Sequence, residues 1–375
     1  MNTNGTSRAA HAFERFCDTL GAPSGDLGVL VALGTLCGEE GAARDVVAEA
    51  PAWLHALGVG PGEGSVLLLL GAGVARRPAP FLAAAIARVL LRTVIAGIDR
   101  HDDHLAALVH GWQLGRRAPA SPLAVGPADV DEAARLAGLA SRPAEDEGIG
   151  RGGGAFMEHL RSLVLEPYGA AFASSGALRD ATMTEQRRGL FIRTALAAAD
   201  VQARLSAMPK LGTLDFHELQ ELAPGTLGRG YADHMLANGL TKLEGMADDD
   251  VDLGRYVTGH LVETHDLWHV VTGTGTDREG EISLHSVYNG QLHPLPVTLA
   301  FLARCLLKTA LFDGEHTGRH LEAIGRGWLT GRRAASLLFI DWKARFGEPL
   351  AELRRELAIP VGGVAGVTVP SPLTA

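Results

Sequence analysis

The sequence predicts an all-α protein, and three observations lead to that prediction. Apolar residues make up 46% of the chain but aromatic residues only 5%, and alanine, leucine and glycine are plentiful, which favours closely packed helices. Apolar residues recur at helical spacing between glycine and proline breaks. No stretch shows the sustained alternation of a half-buried strand. At 375 residues, the chain is long enough to bury one large core or two ordinary ones.

The elements follow from this periodicity and from the positions of the breaks. Glycines and the Arg76-Arg77-Pro78 run separate the first helices, and a proline- and glycine-rich stretch from Ala118 to Gly154 reads as a linker with one short helix in it. The predicted helices before residue 210 are Ala10–Leu20, Gly28–Cys37, Ala42–Leu57, Ser65–Val74, Phe81–Ile98, His104–Arg117, Asp129–Leu139, Phe156–Leu165 and Met183–Leu205.

Composition excludes several classes of protein. A net charge of −9 without any basic run argues against a general nucleic-acid binder, so no nucleic-acid partner is expected. The N-terminus has no apolar segment of a secretory signal, and the longest apolar run, Val66–Ala75, is too short to span a bilayer. Cys17, Cys37 and Cys305 are widely spaced and lack a CxxC pair. We therefore expect free thiols and a cytoplasmic location, with peripheral membrane contact left open.

One stretch carries metal-ligand spacing: His265-Asp266-Leu267-Trp268-His269 and, after a turn-rich run, Glu281. On a helix, His265 and His269 stand one turn apart on one face, and Asp266 reaches toward the same side. The Gly- and Thr-rich run 272–280 cannot continue the helix, so it can turn the chain back and deliver Glu281 as a fourth ligand. Two imidazoles and carboxylates suit one divalent cation, zinc first and iron second.

The residues of the predicted metal site also have simpler interpretations. Two histidines four residues apart on a helix are often merely hydrogen-bonded or solvated. His101-Asp102-Asp103-His104 also has ligand residue types, but the aspartates before an alanine- and leucine-rich run favour helix N-terminal charges over a second metal.

The motif and its surroundings resemble the Coq4 family of ubiquinone-biosynthesis proteins. HDxxH followed by eleven residues and a glutamate is similar to that family's signature. The run Gly225–Leu240 resembles its "SLGRxYAxFMxxxGL" segment, and the stretches 327–334 and 341–357 resemble its closing helices. The resemblance covers about residues 208–360. It implies a helical fold, and a metal site beside an apolar cavity, which we expect to be lined by helix faces from about 281–312.

Two parts of the chain also resemble each other. Residues 78–118 align without a gap on 294–334, with 17 identities in 41 positions, including a shared Gly-Trp-x-x-Gly-Arg-Arg-Ala. We interpret this as an internal duplication. In the N-terminal copy the counterparts of His265, Asp266 and His269 are Ala50, Pro51 and Leu54, and that of Glu281 is Ser65, or Glu63 with a small gap.

The duplication predicts a domain organisation. The expected division is a degenerate Coq4-like half without metal ligands (1–118), a linker (119–154), a metal-binding helical domain (155–360) and a tail (361–375). Because identical copies usually associate through a two-fold interface, we expect a pseudo-dimer within one chain, or a homodimer.

His285 and Tyr288 follow Glu281 at helical spacing and are the candidate catalytic residues. The family usually carries a lysine and an acidic residue at these positions. This departure argues against assigning the family's own substrate directly to this chain. A histidine suits proton transfer, although a solvated or hydrogen-bonded histidine is the simpler interpretation.

Three functions compete. The first, implied by the resemblance, is a metal-dependent enzyme acting on a prenylated aromatic or quinone precursor, by oxidative decarboxylation and hydroxylation of the ring. The second is a natural-product tailoring enzyme of the same family, a decarboxylase or cyclase. The third is a non-catalytic scaffold that binds lipid and organises other biosynthetic enzymes. A hydrophobic small molecule is the expected partner of the site in each.

Overall fold

The computed structural model describes residues 3–23, 25–60, 62–97, 104–117, 126–140, 148–149, 153–165, 181–182, 184–195, 208–242, 253–292 and 295–360. These residues form helices and turns, with no strand among them, and the all-α prediction is confirmed. None of the helices in this part of the chain is long and apolar enough to cross a membrane.

The α-helices of the described residues are, in chain order, α1 (Thr3–Thr19), α2 (Gly28–Cys37), α3 (Glu40–Ala56), α4 (Glu63–Arg76), α5 (Pro80–Ala96), α6 (His104–Arg117), α7 (Pro127–Ala140), α8 (Gly153–Leu165), α9 (Glu185–Ala195), α10 (Phe216–Gln220), α11 (Leu227–Ala237), α12 (Leu253–Glu263), α13 (His265–Thr272), α14 (Arg278–Gln291), α15 (Pro296–Phe312), α16 (Thr317–Arg333) and α17 (Leu350–Glu356). Short 3-10 turns occur at Gly314–His316 and Lys343–Arg345.

The predicted helix positions agree with the observed ones, and most ends differ by three residues or fewer, but α1 begins at Thr3 and not at Ala10. The helix inside the predicted linker runs from Pro127 to Ala140, two residues longer at its start than the pattern indicated. Of the predicted helix Met183–Leu205, the structure describes Glu185–Ala195. The segment 101–103 and the tail 361–375 lie outside the described residues, whereas His104 begins α6.

The chain divides into two compact units. The first comprises 1–187 with 294–325, and the second comprises 188–293 with 326–375. The predicted domain boundary placed 294–325 with the metal motif, whereas in the structure this segment belongs to the first unit. The physical reason is that α15 packs along α5, so that the two helices form one apolar core.

Within the first unit, α4 and α6 approach each other at backbone distance. Neither Gly71 nor Gly111 leaves room for a side chain: a methyl group on Gly111 would overlap the carbonyl oxygen of Leu68. Glycine is therefore required at this crossing because any larger residue would force the helices apart.

The second unit repeats this crossing with α14 and the C-terminal part of α16. A methyl group on Gly327 would overlap the carbonyl oxygen of Ser283, and one on Gly331 would crowd that of Val287. The glycines of the repeated Gly-Trp-x-x-Gly motif thus make equivalent helix contacts in both units, in agreement with the interpretation of an internal repeat.

Candidate metal centre

Helix α13 presents the HDxxH motif and is held at its C-terminus. Leu267 and Trp268 are fully buried and anchor its inner face. The helix ends at Gly273, whose φ of 73° is the left-handed conformation that glycine adopts without strain. Arg354 donates from its Nε and Nη2 atoms to the carbonyls of Val271 and Val270, at 2.8 and 2.7 Å. The last turn is therefore fixed although its carbonyls have no partner within the helix.

The turn after α13 positions Glu281 in the first turn of α14. Asp277 is the N-cap: its Oδ1 accepts from the amide of Gly280 at 2.8 Å. Gly280 lies directly against Gly275, whose carbonyl a methyl group would overlap. This close approach folds the turn tightly enough to bring Glu281 opposite the helix that carries the histidines.

The side chains of His265, His269 and Glu281 converge. The two Nε2 atoms are 3.2 Å apart, and Glu281 Oε1 lies 3.3 Å from His269 Nε2. Glu281 Oε2 lies 3.8 Å from His265 Nε2. One donor atom from each residue falls within 4.8 Å of the other two.

A hydroxyl group lies beside the other ring nitrogen of each histidine. Tyr288 Oη is 2.9 Å from His265 Nδ1, and Thr274 Oγ1 is 3.1 Å from His269 Nδ1. The Tyr288 ring packs against Trp268 with 4.8 Å between centroids, and Thr274 Oγ1 is 3.0 Å from the hydroxyl of Thr272. When Nδ1 carries the proton and donates to these oxygens, both Nε2 lone pairs are left directed at the same point.

The charges of the cluster are mutually dependent. Burial tends to raise the pKa of Glu281, but hydrogen bonds from His265 and His269 outweigh it and hold that pKa well below its usual range. Burial tends to lower the pKa of His265, and the Glu281 carboxylate reverses the effect, so the net pKa is raised. Burial, with the charges of Glu281 and Asp266, raises the pKa of Tyr288, whose phenol therefore stays protonated.

The donor set fits a single divalent ion of the zinc type. Ligand atoms about 2.1 Å from a tetrahedral ion lie about 3.4 Å from one another, close to the 3.2 and 3.3 Å separations seen here. Two neutral imidazoles and one carboxylate also leave a fourth position open, as catalytic sites require. The same residue types suit iron, so the ligands do not discriminate between the two metals.

The structure places the fourth predicted ligand differently. Asp266 is 7% exposed and lies on α13 beside His265, but its carboxylate is not within the group of three converging donors. Its negative charge instead raises the pKa values of His265 and Tyr288.

The two candidate catalytic residues lie on the same side of α14 as Glu281. The His285 ring centroid is 6.3 Å from that of His265 and 5.7 Å from that of Tyr288. His285 is partly exposed, whereas Tyr288 is 3% exposed and bonded to His265. Geometrically, Tyr288 is suited to orient a ligand and His285 to meet a bound molecule.

Sequence reasoning missed His234. Its ring stacks on His269 with 5.9 Å between centroids, and burial and then the charge of His269 lower its pKa. It lies on α11, far from the HDxxH motif in sequence, and no spacing rule connects the two. The only available signal was that a histidine stands where the resembled segment has a phenylalanine.

The fold and the site together define an all-helical protein with a candidate mononuclear metal centre. The family model described as "Coenzyme Q (ubiquinone) biosynthesis protein Coq4" matches residues 200–361. Residues 200–361 therefore form a Coq4-type segment, in agreement with the resemblance predicted for about residues 208–360.

Curated relatives match the same region. The ubiquinone biosynthesis protein COQ4 homologues of Xenopus tropicalis, Danio rerio and Rattus norvegicus are 29%, 31% and 32% identical over 40%, 42% and 40% of this chain. The matches cover 53%, 59% and 56% of those proteins, so the chain spans little more than half of their length. All three are named as mitochondrial, and the cytoplasmic location of this chain stays a prediction.

A solved structure from Nostoc punctiforme, provisionally assigned to ubiquinone biosynthesis, is also similar. It is 24% identical, has a TM-score of 0.49, and the match covers 56% of this chain and 97% of that one.

Proposed function

We propose that the Coq4 segment is a metal-dependent enzyme that acts on a prenylated aromatic or quinone precursor, in ubiquinone biosynthesis or a related pathway. The observation that supports it is the convergence of His265 Nε2, His269 Nε2 and a Glu281 oxygen at separations matching one tetrahedral ion. The Coq4-type segment supports the substrate class, because the matched relatives are named for ubiquinone biosynthesis.

The proposed chemistry is oxidative decarboxylation and hydroxylation of the substrate ring. A bound divalent cation would supply positive charge to a ring carboxylate or phenolate. The hydroxyls of Tyr288 and Thr274 orient the two imidazoles, and Glu281 balances the charge. His285, partly exposed beside His265, is placed to exchange a proton with the bound ring.

The second candidate is a tailoring enzyme of a specialised pathway, a decarboxylase or cyclase. His285 and Tyr288 favour it, because both stand at the centre where the family usually has a lysine and an acidic residue. The prenyl-binding apolar cavity expected from the resemblance remains a prediction, and so does the third candidate, a lipid-binding scaffold.

Metal analysis of the purified protein tests the proposal first. We expect about one zinc or iron per chain in the wild type and almost none in His269→Ala, with unchanged helix content by circular dichroism. His217→Ala is the matched control, because His217 is an exposed histidine of the same unit. Full metal content in His269→Ala would contradict the assignment of the ligands.

The reaction is tested with a carboxylated prenyl-phenol under oxygen. Release of carbon dioxide with a hydroxylated product supports the first candidate, and release without oxygen consumption supports the second. A metal-loaded protein that binds this compound without converting it would favour the scaffold.

A further inference from the structure

A polar pocket lies on the face of α14 that points away from the candidate metal centre. It has a volume of about 610 Å³ and is entirely within the second unit. Its lining includes Ser283, Val287 and Thr330, together with the Gly-rich turn 273–275. The metal-facing residues Glu281, His285 and Tyr288 occupy other positions around the helix and do not line it.

Three polar side chains of this pocket lack hydrogen-bond partners among the described residues. Ser283 and Thr330 are 9% and 8% exposed, and no bond to either hydroxyl is seen there. The Nε of Arg326 is buried and unpaired, and no carboxylate of the described residues lies within ion-pair distance of its guanidinium. Buried polar groups are almost always paired, so the buried Nε of Arg326, with two hydroxyls beside it in the lining, indicates a missing partner.

The lining has two acidic residues, Asp277 and Glu279, and among the described residues neither forms an ion pair with Arg326. Asp277 is exposed at the rim, and its Oδ1 is engaged with the amide of Gly280 as the cap of α14. Arg354, the other arginine of the lining, already donates to the carbonyls of α13. The hydrogen-bond donors of the pocket without a partner among the described residues are therefore the Arg326 guanidinium and the hydroxyls of Ser283 and Thr330.

The corresponding groove of the first unit is filled by the chain itself. There α7 packs on both α4 and α6, and Val130 of α7 lies against Gly58, the counterpart of Gly273 in the repeat alignment. The pocket residues Ser283 and Thr330 have the apolar counterparts Leu68 and Leu114. In the first unit, therefore, the repeated helix pair has an apolar groove that α7 covers. In the second unit the equivalent helix pair has a polar pocket.

We infer that this pocket binds a small molecule through an oxyanion, a carboxylate or a phosphate, held by the Arg326 guanidinium and the hydroxyls of Ser283 and Thr330. A guanidinium with adjacent hydroxyls matches the geometry and charge of such a group. The volume suits a compact metabolite rather than a polymer. The inference does not rest on the proposed function, since none of the metal ligands lines the pocket; Thr274, which contacts His269, is the lining residue nearest to them.

Isothermal titration calorimetry of the full chain with inorganic phosphate and, separately, with benzoate tests the inference. We expect saturable binding of at least one anion, with one site per chain. If only phosphate binds, the ligand of the pocket is a phosphate ester. If only benzoate binds, it is a carboxylate, and binding of both anions indicates a general oxyanion site.

The variants locate the site. Arg326→Gln should weaken binding by about tenfold or more, because a charge-assisted hydrogen bond is lost. Arg355→Gln is the matched control, an exposed arginine of the same unit, and should stay within about twofold of the wild type. Thr330→Val, in which the new side chain has nearly the same shape, should weaken binding a few-fold. It tests the site independently if the Arg326 variant fails to fold.

Repeating the titration after dialysis against EDTA separates the pocket from the metal centre. Binding that persists without metal supports the pocket. Binding of neither anion, equal affinities of the Arg326 and Arg355 variants, or loss of binding on chelation would overturn the inference, the last by assigning the anion to the metal.

Discussion

At the scale of single residues, the candidate centre depends on hydroxyl groups as much as on ligands. Each histidine ring has two nitrogens, and the partner of Nδ1 decides which way Nε2 points. Tyr288 does this for His265 and Thr274 for His269, at 2.9 and 3.1 Å. Neither hydroxyl touches the converging donors, so both act through the imidazoles.

Tyr288→Phe should weaken zinc binding by about 10- to 100-fold while the fold is kept, because the orienting partner of His265 is lost. The measurement is competition with a chromogenic chelator. Tyr231→Phe is the control: its hydroxyl is buried and has no hydrogen-bond partner among the described residues, so affinity should not change. Thr274→Val should behave like Tyr288→Phe, and Thr274→Ser should restore binding. Equal affinity in all four variants would rule out the orienting role.

The thiol groups give a pH-dependent prediction. Burial raises the pKa of Cys37 to about 12 and that of Cys17 to about 11, in each case with help from nearby carboxylates. Both thiols are therefore neutral at pH 8 in the folded protein, and the thiolate that reacts forms only near or above pH 11. Alkylation by iodoacetamide, mapped by peptide mass spectrometry, should be much slower at these sites at pH 8 than in guanidinium-unfolded protein. Equal rates would show that the thiols are not shielded.

At the scale of helices, the two units share a glycine-mediated crossing. Gly111 in α6 and Gly327 in α16 each face a backbone carbonyl of the partner helix, those of Leu68 and Ser283. Backbone cannot move aside as a flexible side chain can, so a methyl group must displace the whole helix.

Gly111→Ala and Gly327→Ala should each lower the free energy of unfolding by about 1–3 kcal/mol, measured by urea denaturation. Gly138→Ala is the contrasting variant, since Gly138 lies in α7 with open space around it, and it should stabilise the helix by about 0.5–1 kcal/mol. If Gly327→Ala were as mild as Gly138→Ala, the close crossing in the second unit would be wrong.

At the scale of the whole molecule, the first unit combines segments far apart in sequence. Its helices α5 and α15 both begin at a proline, have the same length, and pack along each other. Packing between counterpart helices is what a duplicated, pseudo-two-fold arrangement predicts. The duplication remains our interpretation, supported by this pairing and by the equivalent glycine contacts.

A fragment of residues 155–360 would retain the metal motif but lose α5. We expect it to aggregate or to unfold without a cooperative transition, because the apolar surface of α15 that α5 covers becomes exposed. Analytical ultracentrifugation and thermal unfolding, with the full chain as control, measure this. A monomeric, cooperatively folded fragment with full metal content would instead make 155–360 an autonomous domain.

The sequence by itself determined the all-α class, most helix positions, the Coq4-type segment and the convergence of His265, His269 and Glu281. These features depend on residues that are close together in sequence. Hydrophobic periodicity places the helices, and the Gly-rich turn after the HDxxH helix brings Glu281 back to the histidines. Tertiary structure alone decided that Asp266 lies outside the three-donor group, that His234 stacks on His269, and that the pocket at Arg326 is polar and open. Each of these depends on residues that are distant in sequence or on small rotations about a helix axis. Hydrophobic patterning specifies which face of a helix is buried, but not which neighbour covers it.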